Sequence, residues 1–151
     1  LGVNDNSSAN KSTPVTTFAG GTNWKQVSCG GIFSAAIKTD GTLWVWGGNF
    51  NAQLGTNDVN NKSTPVTTFA GGTNWKQVSC GYLYTSAVKT DGTLWVWGRN
   101  IDAQLGVFNT MSPISTPVTT FAGGTNWRQV SSAPGFSGSH TISLTYSDSV
   151  L

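Results

Sequence analysis

Few side chains in this sequence could do chemistry. The chain contains one histidine, His140, and all six of its acidic residues are aspartates. A lone histidine without a paired carboxylate makes a poor catalytic triad or metal site. Asp40 and Asp91 each precede a glycine, a position where aspartate supports the geometry of a tight turn. We therefore predict a protein that is not an enzyme, with no catalytic residue, no metal site and no cofactor.

The glycine pairs and the two cysteines also favour structural roles. The pairs do not open helices, so they are not phosphate-binding loops; they are Gly20-Gly21, Gly71-Gly72 and Gly123-Gly124. Cys29 and Cys80 occupy equivalent positions in successive repeats. The geometry of a disulfide is strict, which argues against a bond between them. We predict two buried cysteines that pack as small hydrophobic side chains.

Composition points to strands and turns rather than to helices. Charged residues make up 9% of the chain and the formal net charge is +2, which is too weak for a nucleic-acid-binding face. No apolar run approaches 18 residues, so no membrane insertion is expected. Serine, threonine, asparagine and 19 glycines favour strands and turns, and seven tryptophans with seven phenylalanines can fill a packed core.

The sequence is built from copies of one unit, and we interpret it as a single repeat domain spanning 1–151. The stretch "STPVTTFAGGTNWKQVSCG" begins at Ser12, returns unchanged at Ser63 and begins a third time, nearly unchanged, at Ser115. We place the first repeat at 12–62, the second at 63–114 and a degenerate or incomplete third at 115–151. The opening "LGVNDN" matches the end of a unit, so we expect a piece of a longer or processed protein.

Each unit contains four short strand patterns and no helix pattern. The strands are predicted at 25–29, 34–38, 42–47 and 66–69. "TDGT" separates the second strand from the third, and Asp-Gly between two strands is the strongest short hairpin signal. A proline just before the fourth strand suits an edge position. Four antiparallel strands per unit, marked by aromatic residues and glycines, favour a β-propeller blade over a solenoid coil.

The tryptophans are predicted to pack between blades. Alternation within one strand directs each pair to one face of a blade; the pairs are Trp44 with Trp46 and Trp95 with Trp97. Stacking on a sugar is the alternative role for these rings. Trp24, Trp75 and Trp127 recur immediately before the first strand of each unit, and we expect them to fill contacts between blades.

Several spaced elements, in the same order twice, carry a family resemblance. The pattern "VSCGxxxxxAxKTDGTLWVWGxNxxAQLG" closely resembles the repeat named after the regulator of chromosome condensation. The resemblance implies an all-β propeller of about seven blades when complete. This chain has two complete units and flanking strands, so we expect either a fragment of a ring or several chains that complete one.

The sequence departs from that family at identifiable positions. Phe33 and Tyr84 stand where the family often has a histidine, and His140 of the third unit can be aligned there. Ala52 and Ala103 replace a family glycine. We expect these changes to affect the packing of the blades and not the architecture.

The two complete units differ in two clusters, which an up-and-down blade places mostly on one face. We predict a binding face there, because loops on a rigid scaffold commonly carry function and tyrosine and arginine are favoured contact residues. Neutral drift at tolerant surface sites is the alternative. The candidate residues are Ile32, Phe33, Phe50, Asn51, Tyr82, Leu83, Tyr84, Arg99, Ile101 and Asp102.

These observations favour a non-catalytic propeller that acts as a protein-interaction or structural surface module. The expected partners are another protein or other copies and blades of the same protein, with a glycan as a second candidate. Low charge and richness in serine, threonine and asparagine favour an extracellular, bacterial cell-surface or phage-virion location. The alternatives are a carbohydrate-binding propeller, an enzyme inhibitor and a guanine-nucleotide-exchange propeller.

Overall fold

Every regular element in the described part of the chain is an antiparallel β-strand. The computed structural model describes residues 1–4, 13–108, 112–133, 135 and 142–146, and these contain no helix. His140 lies outside them. The strands are β1 (Trp24–Cys29), β2 (Phe33–Lys38), β3 (Leu43–Gly47), β4 (Lys62–Thr67), β5 (Trp75–Cys80), β6 (Tyr84–Lys89), β7 (Leu94–Gly98), β8 (Ile114–Thr119), β9 (Trp127–Ser132) and β10 (Ile142–Tyr146).

The strands form three sheets in chain order. β1 to β4 make the first four-stranded sheet, β5 to β8 make the second, and β9 pairs with β10. Within each sheet, every strand is hydrogen-bonded to the next one along the chain, so each sheet is an up-and-down blade. This arrangement confirms the predicted all-β propeller architecture, present here as a partial set of blades.

The Asp-Gly turns form the predicted hairpins. Gly41 and Gly92 have φ angles of 79° and 78°, which glycine adopts without the steric cost of a Cβ. The Asp40 carboxylate accepts hydrogen bonds from the backbone N–H and the hydroxyl of Thr42, at 2.9 and 2.7 Å. These bonds hold the pKa of Asp40 below its ordinary value.

The fourth strand lies earlier in the sequence than predicted. It spans Lys62–Thr67 and not 66–69, because the bulge between Val45 and Gly47 allows Gly47 to pair with Lys62. Phe69 has already left the sheet, and its backbone N–H donates to the Gly55 carbonyl at 2.8 Å. β4 is an outer strand and carries a register shift, a place in a sheet where a proline such as Pro65 is tolerated.

The core lies between consecutive blades, where β5 packs against β1 and β2 and β9 packs against β5 and β6. The prediction of packed tryptophans is confirmed for Trp46, Trp75 and Trp97, which are buried. The Trp75 ring contacts the edges of Trp95 and Trp97, each at a centroid distance of 6.1 Å. Edge-to-face contacts of this kind stabilise aromatic pairs beyond the area that they bury.

Glutamine side chains join the inner strands of neighbouring blades. Gln26 Nε2 donates to the Val78 carbonyl at 2.8 Å, and the Val78 N–H donates to Gln26 Oε1 at 3.1 Å. One blade later, Gln77 Nε2 donates to the Val130 carbonyl at 2.9 Å and Val130 N–H donates back at 3.0 Å. We call this two-bond arrangement the glutamine clamp. Each clamp satisfies a backbone N–H and C=O that no neighbouring strand pairs.

Serine hydroxyls add a second bond at the same inner edge. Cys80 N–H donates to Ser28 Oγ at 2.9 Å, and Ser132 N–H donates to Ser79 Oγ at 2.8 Å. The clamp and the serine bond are therefore two residues apart on each strand, in keeping with the period of a β-strand.

The segment "AQLG" enters the space between blades instead of lying on the surface. Gln53 and Leu54 are fully buried, and the Gln53 carbonyl accepts from Trp97 Nε1 at 2.9 Å and from Thr85 Oγ1 at 2.7 Å. A Cβ on Gly55 would lie 2.8 Å from the Trp97 ring, so glycine allows this close approach. Gly2 lies equally close to Trp46. The end of one unit thus covers a tryptophan of the next.

The two cysteines differ in exposure, although the sequences that precede them are identical. Cys80 is buried, and its burial raises the pKa of its thiol to about 12. Cys29 is exposed, which corrects the prediction that both are buried. The reason is position in the array: β1 covers β5, whereas no blade in the described chain covers β1. Both thiols are free, in agreement with the expectation of no disulfide.

Ala52 and Ala103, which replace the family glycine, have φ angles of 55° and 54°. A left-handed backbone costs an L-residue about 1–2 kcal/mol, more than the entropy that a glycine would lose on folding. We expect Ala103→Gly to raise the free energy of unfolding by up to about 1 kcal/mol, because Ala103 is exposed and loses no burial. Urea denaturation measures the change.

Ala52→Gly is the matched control for this change. Ala52 is fully buried, so the loss of its methyl group offsets the gain in the free energy of unfolding. Equal or lower stability of the Ala103 variant would contradict the argument.

Candidate functional site

The loops that differ between the units meet on one side of the sheets. We call residues 30–32, 48–51, 81–83 and 99–102 the loop face. Within the first blade, Gly48 N–H donates to the Ile32 carbonyl at 2.8 Å, and within the second, Arg99 N–H donates to the Leu83 carbonyl at 2.9 Å. The two blades are linked by a bond from Gly31 N–H to the Tyr82 carbonyl at 3.0 Å. The loop face is therefore one continuous surface across both blades.

Apolar side chains stand out from this surface. Phe50 and Ile101 occupy equivalent positions in the two units and are 69% and 63% exposed, and Ile32 is 50% exposed. Tyr82 and Leu83 are partly exposed between them. A Cβ on Gly31 would lie 2.5 Å from the Tyr82 ring, so this ring rests on the glycine of the preceding blade. Large aromatic and aliphatic groups held in this way are typical of surfaces that bind proteins.

Polar residues complete the loop face. Arg99 and Asp102 lie in the same loop, with 3.4 Å between Arg99 Nη2 and Asp102 Oδ2. An ion pair this exposed contributes little to stability, so both groups can exchange partners. Asn51 is partly exposed, and its backbone N–H donates to Gln53 Oε1 at 2.9 Å.

Two residues predicted for this surface do not belong to it. Phe33 is 4% exposed and Tyr84 is fully buried. They begin β2 and β6, one residue earlier than the sequence suggested, and their rings cover the backbone of Gly30 and Gly81. Burial also raises the pKa of the Tyr84 hydroxyl. Both side chains are part of the core and cannot contact a partner.

A buried asparagine shapes each long loop, a role that the sequence analysis missed. Asn49 is fully buried, and its Nδ2 donates to the carbonyl and the Oδ1 of Asp58, at 2.9 and 3.0 Å. Its Oδ1 accepts from Leu54 N–H at 2.9 Å. Asn100 is buried in the same way and accepts from Leu105 N–H at 3.1 Å. The unchanged "N-x-x-A-Q-L-G" of both units is the signal that could have revealed this role.

Asp58 anchors the same loop electrostatically. Its carboxylate lies 2.7 Å from Lys62 Nζ, and it also accepts from Asn60 N–H and from the Thr56 hydroxyl. Burial raises the pKa of Asp58, but these donors together outweigh that effect and hold the pKa below its ordinary value. The loop that presents Phe50 is therefore fixed by hydrogen bonds at both of its ends.

In each complete blade one lysine lies over two tryptophan rings. Lys38 Nζ lies 4.8 Å from the centroid of the Trp24 ring and 4.6 Å from that of Trp44. Lys89 repeats the arrangement at 4.6 and 4.2 Å from Trp75 and Trp95. Cation–π contacts of this geometry are stabilising. These ring faces are therefore not free platforms on which a sugar could stack.

A polar cavity lies between the second and third blades, beside the Asp-Gly turn. It has a volume of about 230 Å³, and Lys76, Asp91 and Arg128 contribute its charges. The cationic positions carry lysine or arginine in every copy, and the aspartate recurs in both complete units. The charged residues of the cavity thus belong to the part of the sequence that does not diverge between the units.

Across the described residues, no three histidine, cysteine or acidic side chains lie close enough to hold a metal ion, and no helix could span a membrane.

The four-stranded antiparallel blades, joined at their inner strands, define this chain as part of a β-propeller. Two family models of the regulator of chromosome condensation (RCC1) repeat match it, one over residues 40–88 and the other over 24–53 and 75–104. The chain belongs to the RCC1 repeat family.

Known proteins support this assignment. The Arabidopsis thaliana ultraviolet-B receptor UVR8 is 34% identical over 125 residues, which are 82% of this chain and 27% of that protein. A Caenorhabditis elegans homolog of the X-linked retinitis pigmentosa GTPase regulator is 37% identical over 94 residues, 62% of this chain and 7% of that protein. The chain thus spans about a quarter or less of the length of these relatives.

Solved structures give the same fold. The crystal structure of human WBSCR16 matches with a TM-score of 0.65 and 28% identity, over 72% of this chain and 28% of that one. Yeast RCC1 (Prp20), in its complex with Kap60, matches with a TM-score of 0.63 and 17% identity over the same shares. The second likeness is one of fold alone.

Proposed function

We propose that this chain is a non-enzymatic protein-interaction module and that its loop face binds a protein partner. The observation that carries the proposal is the pair of exposed apolar side chains, Phe50 and Ile101, at the positions where the two units differ. Each is presented by a loop whose base is fixed by a buried asparagine. An exposed apolar surface on a rigid frame favours a partner that can bury it.

A protein partner is favoured over the other candidates by the chemistry of the surface. A glycan would need open aromatic platforms; the half-buried tryptophans of both complete blades carry lysines, and the exposed pair on the loop face, Phe50 and Ile101, includes only one ring. The C. elegans relative is named as the homolog of a GTPase regulator. Guanine-nucleotide exchange therefore stays an alternative function, and it too would require the chain to bind a protein. The surface or virion location stays a prediction from composition.

The test compares three purified chains as bait in lysate of the source organism. Phe50→Ser with Ile101→Ser removes the apolar pair, and we expect at least about a tenfold loss of the retained protein partner. Phe69→Ser is the matched control, because Phe69 is equally exposed at 64% but lies in the constant link. Circular dichroism confirms folding of each chain. Equal retention of a protein partner by the wild-type chain and the double variant would contradict the proposal. A wild-type chain that binds a glycan array and retains no protein would contradict it as well.

A further inference from the structure

The first strand of every blade carries a bulge whose extra residue is a cation. In β5 the register shifts between Trp75 and Gln77, so Lys76 between them has no partner on β6. The same shift leaves Lys25 without a partner in the ladder of β1 and Arg128 without one in that of β9. A β-bulge re-aims the side chain of its extra residue, and bulges are over-represented next to functional sites. Each blade therefore presents a cation at the same place.

Two of these cations meet in the polar cavity between the second and third blades. Lys76 and Arg128 both line it, and its wall is completed by the Asp-Gly turn at 90–92 and by residues 125–127. Its volume of about 230 Å³ is several times the roughly 30 Å³ that one water molecule occupies in the liquid. Lys76 stays exposed although a blade packs on each side of its sheet, so its accessibility is a property of the blade junction.

The cavity has one more positive than negative charge. Neither Lys76 nor Arg128 forms an ion pair within the described residues, where the carboxylates of Asp58 and Asp102 pair with other cations. Asp91 is the acidic residue of the lining. Its Oδ1 accepts from the N–H and the hydroxyl of Thr93 at 2.9 and 2.6 Å, which holds the pKa of Asp91 below its ordinary value. A bound monoanion would bring the site to neutrality.

We propose that this cavity binds a small carboxylate ligand. The planar guanidinium of Arg128 can donate two parallel hydrogen bonds to a carboxylate, and Lys76 supplies a second charged donor. The hydroxyls of Thr90 and Thr125 line the same cavity and suit a ligand that carries further polar groups. A dianion such as phosphate is disfavoured, because the carboxylate of Asp91 repels the additional charge.

This site is separate from the loop face. The Asp-Gly turn joins β6 to β7 at one end of these strands, and the loops of the loop face leave β5 and β7 at the other end. Binding of a carboxylate at the turn therefore does not depend on the proposed protein partner. The Arg128 position is occupied by Lys76 at the junction between the first and second blades, so only the later junction has a guanidinium.

The test is an NMR titration of the full isotope-labelled chain with lactate, a small hydroxylated monocarboxylate, at constant ionic strength. The indole N–H signal of Trp127, which lines the cavity, reports binding. We expect a saturable shift with a Kd of about 1 mM or tighter. Arg128→Lys keeps the charge but removes the planar fork, and should weaken lactate binding at least about tenfold. Lys25→Ala is the matched control, because Lys25 is the same bulge cation outside this cavity, and it leaves lactate binding unchanged.

Inorganic phosphate tests the charge balance without any variant. At a pH where phosphate is mainly a dianion, the wild-type chain is expected to bind it at least about tenfold more weakly than lactate. Asp91→Asn keeps an Oδ1 that can accept from Thr93 and removes the negative charge, so it should strengthen phosphate binding more than lactate binding. No saturable shift with lactate, equal lactate affinity of the wild-type chain and Arg128→Lys, or tighter binding of phosphate than of lactate by the wild-type chain would each overturn the proposal.

Discussion

Replacing Trp97 with alanine is expected to lower the free energy of unfolding by about 3–5 kcal/mol. The side chain is fully buried at the junction of the two complete blades, where it contacts Trp75 and bonds to the Gln53 carbonyl. Its removal leaves a cavity that the strands on both sides cannot close. Because single domains are commonly stable by only about 5–15 kcal/mol, the urea midpoint should fall visibly.

Trp95 provides the matched control for this change. It lies on the same strand two residues earlier, is only partly buried, and contacts Trp75 and Lys89. Trp95→Ala should cost about 1–2 kcal/mol, the combined size of an aromatic and a cation–π contact. Equal losses in the free energy of unfolding of the two alanine variants would contradict the argument that the contact between blades contributes most to the stability of the core.

Gly92→Ala is the second large effect, with an expected loss of at least about 3 kcal/mol. The φ angle of 78° already disfavours any other residue, and a Cβ would collide with the Thr125 carbonyl oxygen of the next blade. The Trp127 N–H donates to the Gly92 carbonyl at 3.0 Å, so the turn cannot move away without breaking that bond. Thermal unfolding followed by tryptophan fluorescence measures the loss.

Gly71→Ala distinguishes the collision from the backbone cost. Gly71 has a φ of 53°, and a Cβ there would meet nothing within 4 Å. Only the left-handed penalty of about 1–2 kcal/mol is expected. Similar losses for the two glycines would show that the blade junction adds nothing to the requirement at Gly92.

Local patterns in the sequence were sufficient to predict the blades. Alternation and the Asp-Gly turns located the first three strands of both complete units to within one residue. That single residue mattered at Phe33 and Tyr84: both begin a strand, and side chains at adjacent strand positions point to opposite faces. A prediction that leaves Phe33 and Tyr84 in a loop places their side chains on the exposed surface instead of in the core.

Contacts between blades could not be predicted in the same way. The clamp between Gln26 and Val78 joins residues 52 positions apart, and its geometry depends on how two sheets pack. Cys29 and Cys80 have the same neighbours in sequence but different environments, because only one of them has a blade over it. The loop face was located from differences between copies, which report where change is tolerated but not how exposed each side chain is.

The clamp and the covered tryptophan have a consequence for how such an array changes over generations. The glutamine and serine of the clamp recur in all three units, and the residues of the covered tryptophan recur in both complete units. Recombination between copies that inserts or deletes a whole unit would join two surfaces that already fit. The number of blades can therefore change in one genetic event without any compensating mutation, while the loops on each unit remain free to diverge.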